Sequence, residues 1–420
     1  MSSPIVVQKF GGSSIADADR IRRVARRIAR ARAGGARLVV VVSAMGDTTD
    51  ELLALAGAIS DDPDPRELDM LLATGEHQGA TLVSMALHAL GIPAISLTGA
   101  QAGITTDGRY GRARIAAVDP KRIQDELESG KVVIVAGFQG QSATATGMAE
   151  TTTLGRGGSD TTAVALAARL AAARCQIFTD VRGIYTADPR RVPDARQLTV
   201  IGYEEMLELA HHGAQIMQTR AVELGWVNDV TIEVLSSFED APGTLITEDP
   251  LVEQRNKVRG LAHDRSIAKI TMVEVPDRPG VAASVFEPLA EAGINVDSVV
   301  QNVGHDGRTD LSFTIGRGDL AAAKRILDPI ARDIGFREMT SDASVAKVSV
   351  VGAGIQTAPG YAARMFRALA DAGVNIEMIS TSEIRITTIV AEHDLETALL
   401  ALHRAFELEQ PEAIEAVAAG

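Results

Sequence analysis

The chain has 420 residues, 46% hydrophobic and 23% charged, an ordinary balance for a globular protein of two to four domains at roughly 100–200 residues each. Its 55 acidic against 41 basic residues leave a net charge of −14, which argues against a broad nucleic-acid surface but allows a small anion held by a few local cations. A single cysteine, Cys175, excludes a disulfide framework within the chain, and the lack of HExxH and CxxC argues against a dedicated zinc site.

The amino terminus runs directly into a strand-like segment, 5–8, with nothing resembling a leader before it. Apolar runs such as 38–42 fall far short of the ~18 residues of a membrane span. A cytoplasmic protein without a membrane or nucleic-acid partner is therefore expected. Nine Phe, four Tyr and one Trp supply no stacking platform for single strands.

In chain order, apolar β-rich runs fall at 5–7, 38–42, 94–97, 132–136, 176–179 and 231–235, with helix-like stretches at 18–33, 76–90, 161–173 and 203–224. Continuous apolar strands separated by helices predict an α/β domain over 1–247, its mostly parallel sheet sandwiched by helices. Residues 248–263 read as a polar linker. Beyond it, PGVAASVFEPLAEAGINVDSVVQN from Pro279 and PGYAARMFRALADAGVNIEMISTS from Pro359 align without a gap. Such self-similarity marks a duplicated unit. Strands near 268–274, 295–302 and 310–315, and again near 346–351, 375–381 and 384–391, give each copy a ferredoxin-like βαββα(β) pattern. The copies are placed at 264–342 and 343–420, with the C-terminal segment available to complete the first.

Three Gly-rich clusters carry the chemistry. Lys9-Phe10-Gly11-Gly12-Ser13-Ser14 follows the first strand and precedes a helix. It is neither a Walker A loop nor a GxGxxG fingerprint. Its glycines nonetheless let backbone N–H groups approach an anion, and Lys9 adds a charge. The bland alternative is a tight turn beside a surface lysine. Residues 152–162, TTLGRGGSDTT, enter a small-residue helix. Arg156 among three glycines suits a carboxylate or phosphate, while Asp160 can hold magnesium, orient a lysine or simply cap the helix. Residues 43–49, SAMGDTT, follow the second strand, where parallel sheets place ligands, though ordinary loop chemistry looks the same. Thr179-Asp180 and residues 185–190 read equally as a second ligand wall or a turn ended by Pro189. The eight histidines form no catalytic pattern, His211 and His212 reading as packing or surface residues and Cys175 as a small buried hydrophobe.

Together these segments resemble the aspartokinases of the amino-acid kinase superfamily. The resemblance rests on VQKFGGSS at Val7, VVSAMGDTTDEL at Val41, GE at Gly75, VAGFQG at Val135, TTLGRGGSDTTA at Thr152 and TDVRGIYTADPR at Thr179, in the family's order. The duplicated unit is similar to the family's pair of ACT domains. The resemblance implies an amino-acid kinase fold followed by two βαββαβ ACT units. It implies transfer of the ATP γ-phosphoryl group to the β-carboxylate of L-aspartate, giving 4-phospho-L-aspartate, on the way to lysine, threonine, methionine and diaminopimelate. Lys9, Phe10, Gly11 and Gly12 would cradle the transferred group, and Asp160 would hold Lys9 and support catalysis. Ser43, Thr49 and Glu76 would surround aspartate, Glu76 at its ammonium, with Arg156 on its α-carboxylate. Thr179, Asp180, Tyr185, Asp188 and Arg190 would line the nucleotide pocket. Magnesium is expected as cofactor, with no protein residue assigned to it. A carboxylate nucleophile, ionised above a pKa of about 3.9, needs no general base, and none is evident.

Regulation is expected in the repeats. Lysine, threonine or both would meet Asp277, Pro279 and Gly280 at a helix N-terminus, facing Asn295, Val296, Asp297 and Gln301, with Asn375 and Ile376 as the second copy's equivalents. A homo-oligomer joined through ACT units is expected. Two other readings compete: a kinase for N-acetylglutamate or glutamate, which would lack the two ACT units, and a non-catalytic amino-acid sensor, which loss of Lys9, Arg156 or Asp160 would have favoured.

Overall fold

The computed structural model describes residues 3–143, 148–213, 216–248, 258–302, 307–355 and 359–411. The chain divides into two compact units: Met1–Ile184, Gln197–Ala210 and Gln215–Pro250 form the first, and Tyr185–Arg196, His211–Ala214 and Leu251–Gly420 the second.

The first unit runs β1 (Ile5–Phe10), α1 (Ala18–Ala33), β2 (Arg37–Val42), α2 (Thr48–Ile59), α3 (Pro65–Ala89), β3 (Ala94–Leu97), β4 (Ile104–Thr106) and β5 (Ile115–Val118). It continues α4 (Lys121–Glu128), β6 (Val132–Ala136), β7 (Gln139–Ala143), β8 (Ala149–Thr153), α5 (Gly158–Arg169) and β9 (Arg174–Thr179). It closes with β10 (Val200–Ile201), α6 (Tyr203–His211), α7 (Thr219–Val227), β11 (Ile232–Ser236) and β12 (Thr244–Ile246).

The expected sheet forms in the order β10-β12-β11-β9-β1-β2-β6-β3, parallel except between β11 and β12. Its central strands read as unbroken apolar runs because both faces are covered. Alternate residues Leu38, Val40 and Val42 pack with Val24 and Ile28 of α1 and with Val83 and Leu87 of α3, while α5 packs over β1, β2 and β9. Asp17 caps α1 by accepting from Arg20 N at 2.8 Å. Helix α3 starts eleven residues before the expected Glu76, because Asp64 caps Arg66 and Glu67 and Pro65 sits at the first helical position. The expected helix 203–224 is instead two, α6 and α7. A second sheet, β5-β4-β7-β8, was not expected. Its strands are only three to five residues long; β4, β7 and β8 are rich in Thr, Gln, Ser and Gly, and the one apolar strand, β5 (IAAV), is just four residues, two of them exposed.

The second unit contains β13 (Gly260–Asp264), β14 (Ile267–Pro276), α8 (Val281–Glu291), β15 (Val296–Gln301), β16 (Arg308–Gly316), α9 (Leu320–Ile334) and β17 (Glu338–Asp342). The second copy follows as β18 (Val345–Val351), α10 (Tyr361–Asp371), β19 (Met378–Ser382), β20 (Arg385–Ala391) and α11 (Leu395–Ala405). Both copies form antiparallel sheets, β15-β16-β14-β17 and β13-β18-β20-β19. The repeated Pro-Gly has a backbone reason: Gly280 and Gly360 precede α8 and α10 at φ of 95° and 103°, a region that favours glycine.

Two boundary expectations change. The linker 248–263 ends in a strand, because β13 pairs with β18, Gly260 opposite Val351, as the fourth strand of the second sheet. The first sheet takes its fourth strand from its own copy, β17, rather than from the C-terminal segment. Residues 249–257 of that linker, and 412–420, lie outside the described residues.

The two copies are tied by reciprocal ion pairs. Lys347 on β18 lies 2.7 Å from Asp297 on β15, and Lys269 on β14 pairs with Glu377, just before β19. Asp297 and Glu377 occupy matching positions of the repeat.

Candidate active site

Strands β1, β2, β6 and β9 end level with one another, Phe10 opposite Val42 and Phe178, and Val42 opposite Ala136. Their loops converge at this carboxyl edge, the ligand-binding edge of open α/β sheets. The N-terminus of α5 reaches the same edge: a Cβ on Gly137, just beyond β6, would sit 2.6 Å from Ser159 Oγ.

Lys9 places its Nζ 2.7 Å from Asp160 Oδ1, the two side chains being 13% and 9% exposed. A Cβ on Gly11 would lie 3.4 Å from that Nζ, so the ammonium hangs over the glycine turn. Gly12 is wedged between the carbonyls of Ala44 and Gly46; a Cβ would come within 2.8 Å of each, so a side chain there would push the first and third clusters apart. Gly46 N donates to Gly12 O at 3.0 Å across the same contact.

Glu76, buried on α3, accepts from Ala44 N at 2.9 Å and from Ser159 Oγ at 3.3 Å. Burial pushes its carboxyl up to about 8, opposed by those two hydrogen bonds and by the Lys9 charge. Ser43 and Thr49 are half-buried, and their chain neighbours Ala44 and Thr48 pack against Gly75, next to Glu76 on α3. Arg156 is exposed at the loop tip and, among the described residues, makes no hydrogen bond or ion pair. Phe10 stacks on Phe178 with ring centroids 4.5 Å apart and serves as packing.

The expected nucleotide residues are shared between the two compact units. In the first unit Thr179 ends β9 and Asp180 follows it, Thr179 Oγ1 donating to Asp180 at 3.1 Å. Tyr185, Asp188 and Arg190 belong to the second unit. There Ala187 and Val192 join the core around Met365 and Leu402, and Asp188 accepts from Arg190 Nε at 3.0 Å. Burial raises the Asp188 carboxyl, but the hydrogen bonds from Arg190 outweigh it and hold it below its usual value.

The expected effector residues also have definite places. Asp277, Pro279 and Gly280 are exposed ahead of α8, Val296, Asp297 and Gln301 lie on β15, and Asn295 precedes that strand. Asn375 is exposed and Ile376 packs against the second copy's core. Asp297 is engaged by Lys347, with His211 Nε2 at 3.9 Å. His212 is buried and Cys175 is buried and unpaired, as a packing role requires.

One residue at this edge escaped the sequence reading. Asp69, seven residues before Glu76 on α3, is buried and accepts from Thr153 and Gly111. The available signal was an acidic residue at two-turn spacing from Glu76 on an otherwise apolar helix face.

The amino acid kinase family profile matches residues 4–235, and ACT domain profiles match 269–332 and 348–406. An aspartokinase of Mycolicibacterium smegmatis is 51% identical over 409 residues, covering 96% of each chain. One of Pseudomonas aeruginosa is 49% identical over 409 residues, covering 97% of this chain and 98% of that protein. The chain belongs to the aspartokinase family. A solved relative, Escherichia coli aspartokinase III in complex with aspartate and ADP, is 28% identical, with a TM-score of 0.80 over 96% of this chain and 99% of that one. The same enzyme in complex with lysine and aspartate gives a TM-score of 0.75 at 27% identity, covering 96% of this chain and 99% of that one. As a member of the aspartokinase family the chain is an ATP-dependent phosphotransferase, with an amino-acid kinase fold followed by two ACT domains. No described helix is long and apolar enough to cross a membrane.

Proposed function

We propose that the chain transfers the γ-phosphoryl group of Mg·ATP to the β-carboxylate of L-aspartate, at the head of lysine, threonine, methionine and diaminopimelate synthesis in the cytoplasm. One observation carries this reading: the Lys9–Asp160 pair lies at the strand ends together with buried Glu76, while Arg156 has no partner among the described residues. The relative solved with aspartate and ADP supports the same acceptor and donor.

In this reading a β-carboxylate oxygen attacks Pγ in line as the bond from Pγ to the ADP oxygen breaks. The acceptor is already ionised, so no proton need be removed. Catalysis is then positioning and charge neutralisation. Arg156 takes the α-carboxylate in bidentate geometry, and Glu76 takes the ammonium, with Ser43 and Thr49 beside it. Lys9 Nζ meets the charge on the transferring group, and Asp160 keeps that ammonium aimed. Phe10, Gly11 and Gly12 shape the cradle; Thr179, Asp180, Tyr185, Asp188 and Arg190 are assigned to the nucleotide. Among the described residues no three His, Cys, Asp or Glu side chains cluster for a metal. Magnesium is proposed to arrive on the phosphates, since it ordinarily keeps waters and substrate oxygens as ligands. A hydroxamate assay with aspartate, glutamate and N-acetylglutamate in parallel tests the acceptor. Product from aspartate alone is expected; preference for either other substrate overturns the reading.

Glu76 gives this reading a pH signature. It must be ionised to hold an ammonium, yet without substrate its carboxyl titrates at about 8. Aspartate binding therefore expels a proton below that pH. The sign follows: the KM for aspartate should rise as pH falls below about 8, by up to roughly tenfold per unit. Glu76→Gln should bind weakly and lose this trend. A KM for aspartate that stays flat from pH 6 to 9 in the unaltered protein counts against the assignment.

The ACT pair is proposed as the site of feedback by lysine, threonine or both, and as the contact through which a homo-oligomer forms. The relative solved with lysine supports lysine as an effector. Its carboxylate would meet the α8 N-terminus at Asp277, Pro279 and Gly280, and its ammonium the strand start at Asn295, Val296 and Asp297 near Gln301, with Asn375 and Ile376 the matching positions of the second copy.

A further inference from the structure

Asp69 is a carboxylate at 1% exposure on α3, seven residues from Glu76 but far in sequence from Lys9, Arg156 and Asp160. Its partners come from two segments, Thr153 and Gly111. Thr153 donates both its N–H, at 2.8 Å, and its hydroxyl, at 2.6 Å, and Gly111 N lies 3.0 Å from each carboxylate oxygen. Thr153 stands three residues before Arg156. From the other side Arg220 of α7 donates to Leu154 O at 2.7 Å and to Ala113 O at 3.0 Å, and Ala113 N donates to Thr153 O at 2.9 Å. The stem of the loop is thus clamped at Thr153 and Leu154, while Arg156 two residues on is exposed and without a partner among the described residues.

Asp69 and Glu76 share a helix. Seven residues are close to two turns, so both face the same side about 10 Å apart along the axis. One rigid element therefore sets the distance between the group assigned to the substrate ammonium and the stem that carries the group assigned to its α-carboxylate. We propose that Asp69 is a positioning residue: it registers the Arg156 loop against Glu76 along α3, so that the site accepts the charge spacing of an α-amino acid. This rests on the reading that Arg156 holds the α-carboxylate. An ionised carboxylate suits the role because it only accepts, and all its partners are donors. An asparagine of the same shape would turn an NH2 toward at least one of them.

The test is a double-mutant cycle read by calorimetric binding of aspartate to the full chain with a non-hydrolysable ATP analogue. Asp69→Asn is expected to weaken aspartate binding about tenfold or more, leaving the affinity for the ATP analogue within about twofold. In an Arg156→Ala background the same change should have almost no further effect on aspartate. If Arg156→Ala weakens aspartate binding but the two changes simply multiply, Asp69 does not act through Arg156 and the proposal falls. If Arg156→Ala leaves aspartate binding untouched, the carboxylate reading itself fails, and the proposal with it. Should Asp69→Asn not fold, Thr153→Val carries the same cycle, since it removes the 2.6 Å hydrogen bond and leaves the carboxylate two backbone donors. A smaller loss, again absent without Arg156, is expected; equal losses in both backgrounds overturn the proposal.

Discussion

Lys9→Ala is expected to lower turnover by roughly a hundred- to a thousandfold, the usual cost of removing one donor aimed at charge that develops in a transition state, or ~2.7–4 kcal/mol. The geometry gives the reason. The Lys9 ammonium is held 2.7 Å from Asp160 and over the Gly11 turn, in a partly buried setting where a cation acts strongly on a transferring phosphoryl group. Removing it also leaves the largely buried Asp160 carboxylate without its counter-charge. Far-UV circular dichroism and a thermal melt should therefore accompany the kinetics, and Lys9→Met with Asp160→Asn separates a folding defect from a catalytic one. Both proteins should be nearly inactive, the double variant with a melting temperature closer to that of the unaltered chain. A folded Lys9→Ala protein retaining more than about a tenth of the original turnover would falsify the assignment.

Asp297→Ala should strongly destabilise the second unit. Lys347 is only 3% exposed, and Arg385 and His212 lie in the same cluster, so Asp297 offsets a concentration of positive charge. Burial, followed by the Lys347, Arg385 and His211 charges, drives the His212 pKa down to about 2, so this imidazole stays neutral and adds no charge. Breaking a buried pair by removing one partner costs about 3–5 kcal/mol; with Asp297 one-fifth exposed, the lower end is expected. For a unit of this size that shifts its melting by roughly 6–12 °C. Pairing Asp297→Leu with Lys347→Met should recover most of the loss, because a neutral pair leaves no stranded charge. The same residue is where an effector's ammonium is proposed to bind, so an effector would compete with Lys347 for one carboxylate. Feedback requires preferential binding to the less active arrangement, with a coupling of typically 1–3 kcal/mol. Titrating activity with lysine, threonine and their mixture should show weaker inhibition in Asp297→Ala than in the unaltered chain. Superimposable inhibition curves would place the effector elsewhere, and an unaltered chain that none of the three inhibits would remove both amino acids as effectors.

Much of the edge that holds the site was readable before any coordinates. Lys9, Gly12, residues 43–49 and the 152–162 run each follow a strand or open a helix, and in a parallel sheet such positions must gather at one edge. Phe10, Val42, Ala136 and Phe178 standing level is the direct consequence. The pairing of Lys9 with Asp160, across 151 positions, was reached through family resemblance, since composition left Asp160 equally able to cap a helix. The spacing of Asp69 from Glu76 marks it as a buried acid, but what it holds is not legible, because its partners Gly111 and Thr153 lie 42 and 84 positions away and share no periodicity with it.

By itself the sequence determined the order of elements and the duplication. Apolar runs and helical spacing are local signals, and Gly280 and Gly360 recur because each backbone there adopts a conformation that favours glycine. Only the tertiary structure decided which strands share a sheet where local signals were silent. The short strands of the β5-β4-β7-β8 sheet are two neighbouring pairs joined through Thr105 and Gln141, a link that their own three to five side chains do not announce. The same holds for β13, which joins β18 some ninety positions later because an open sheet edge requires backbone partners that no side-chain pattern announces. The crossed pairs Lys347–Asp297 and Lys269–Glu377 likewise depend on two copies packing together, so each copy read alone presents a lysine and an acid with no visible reason to meet.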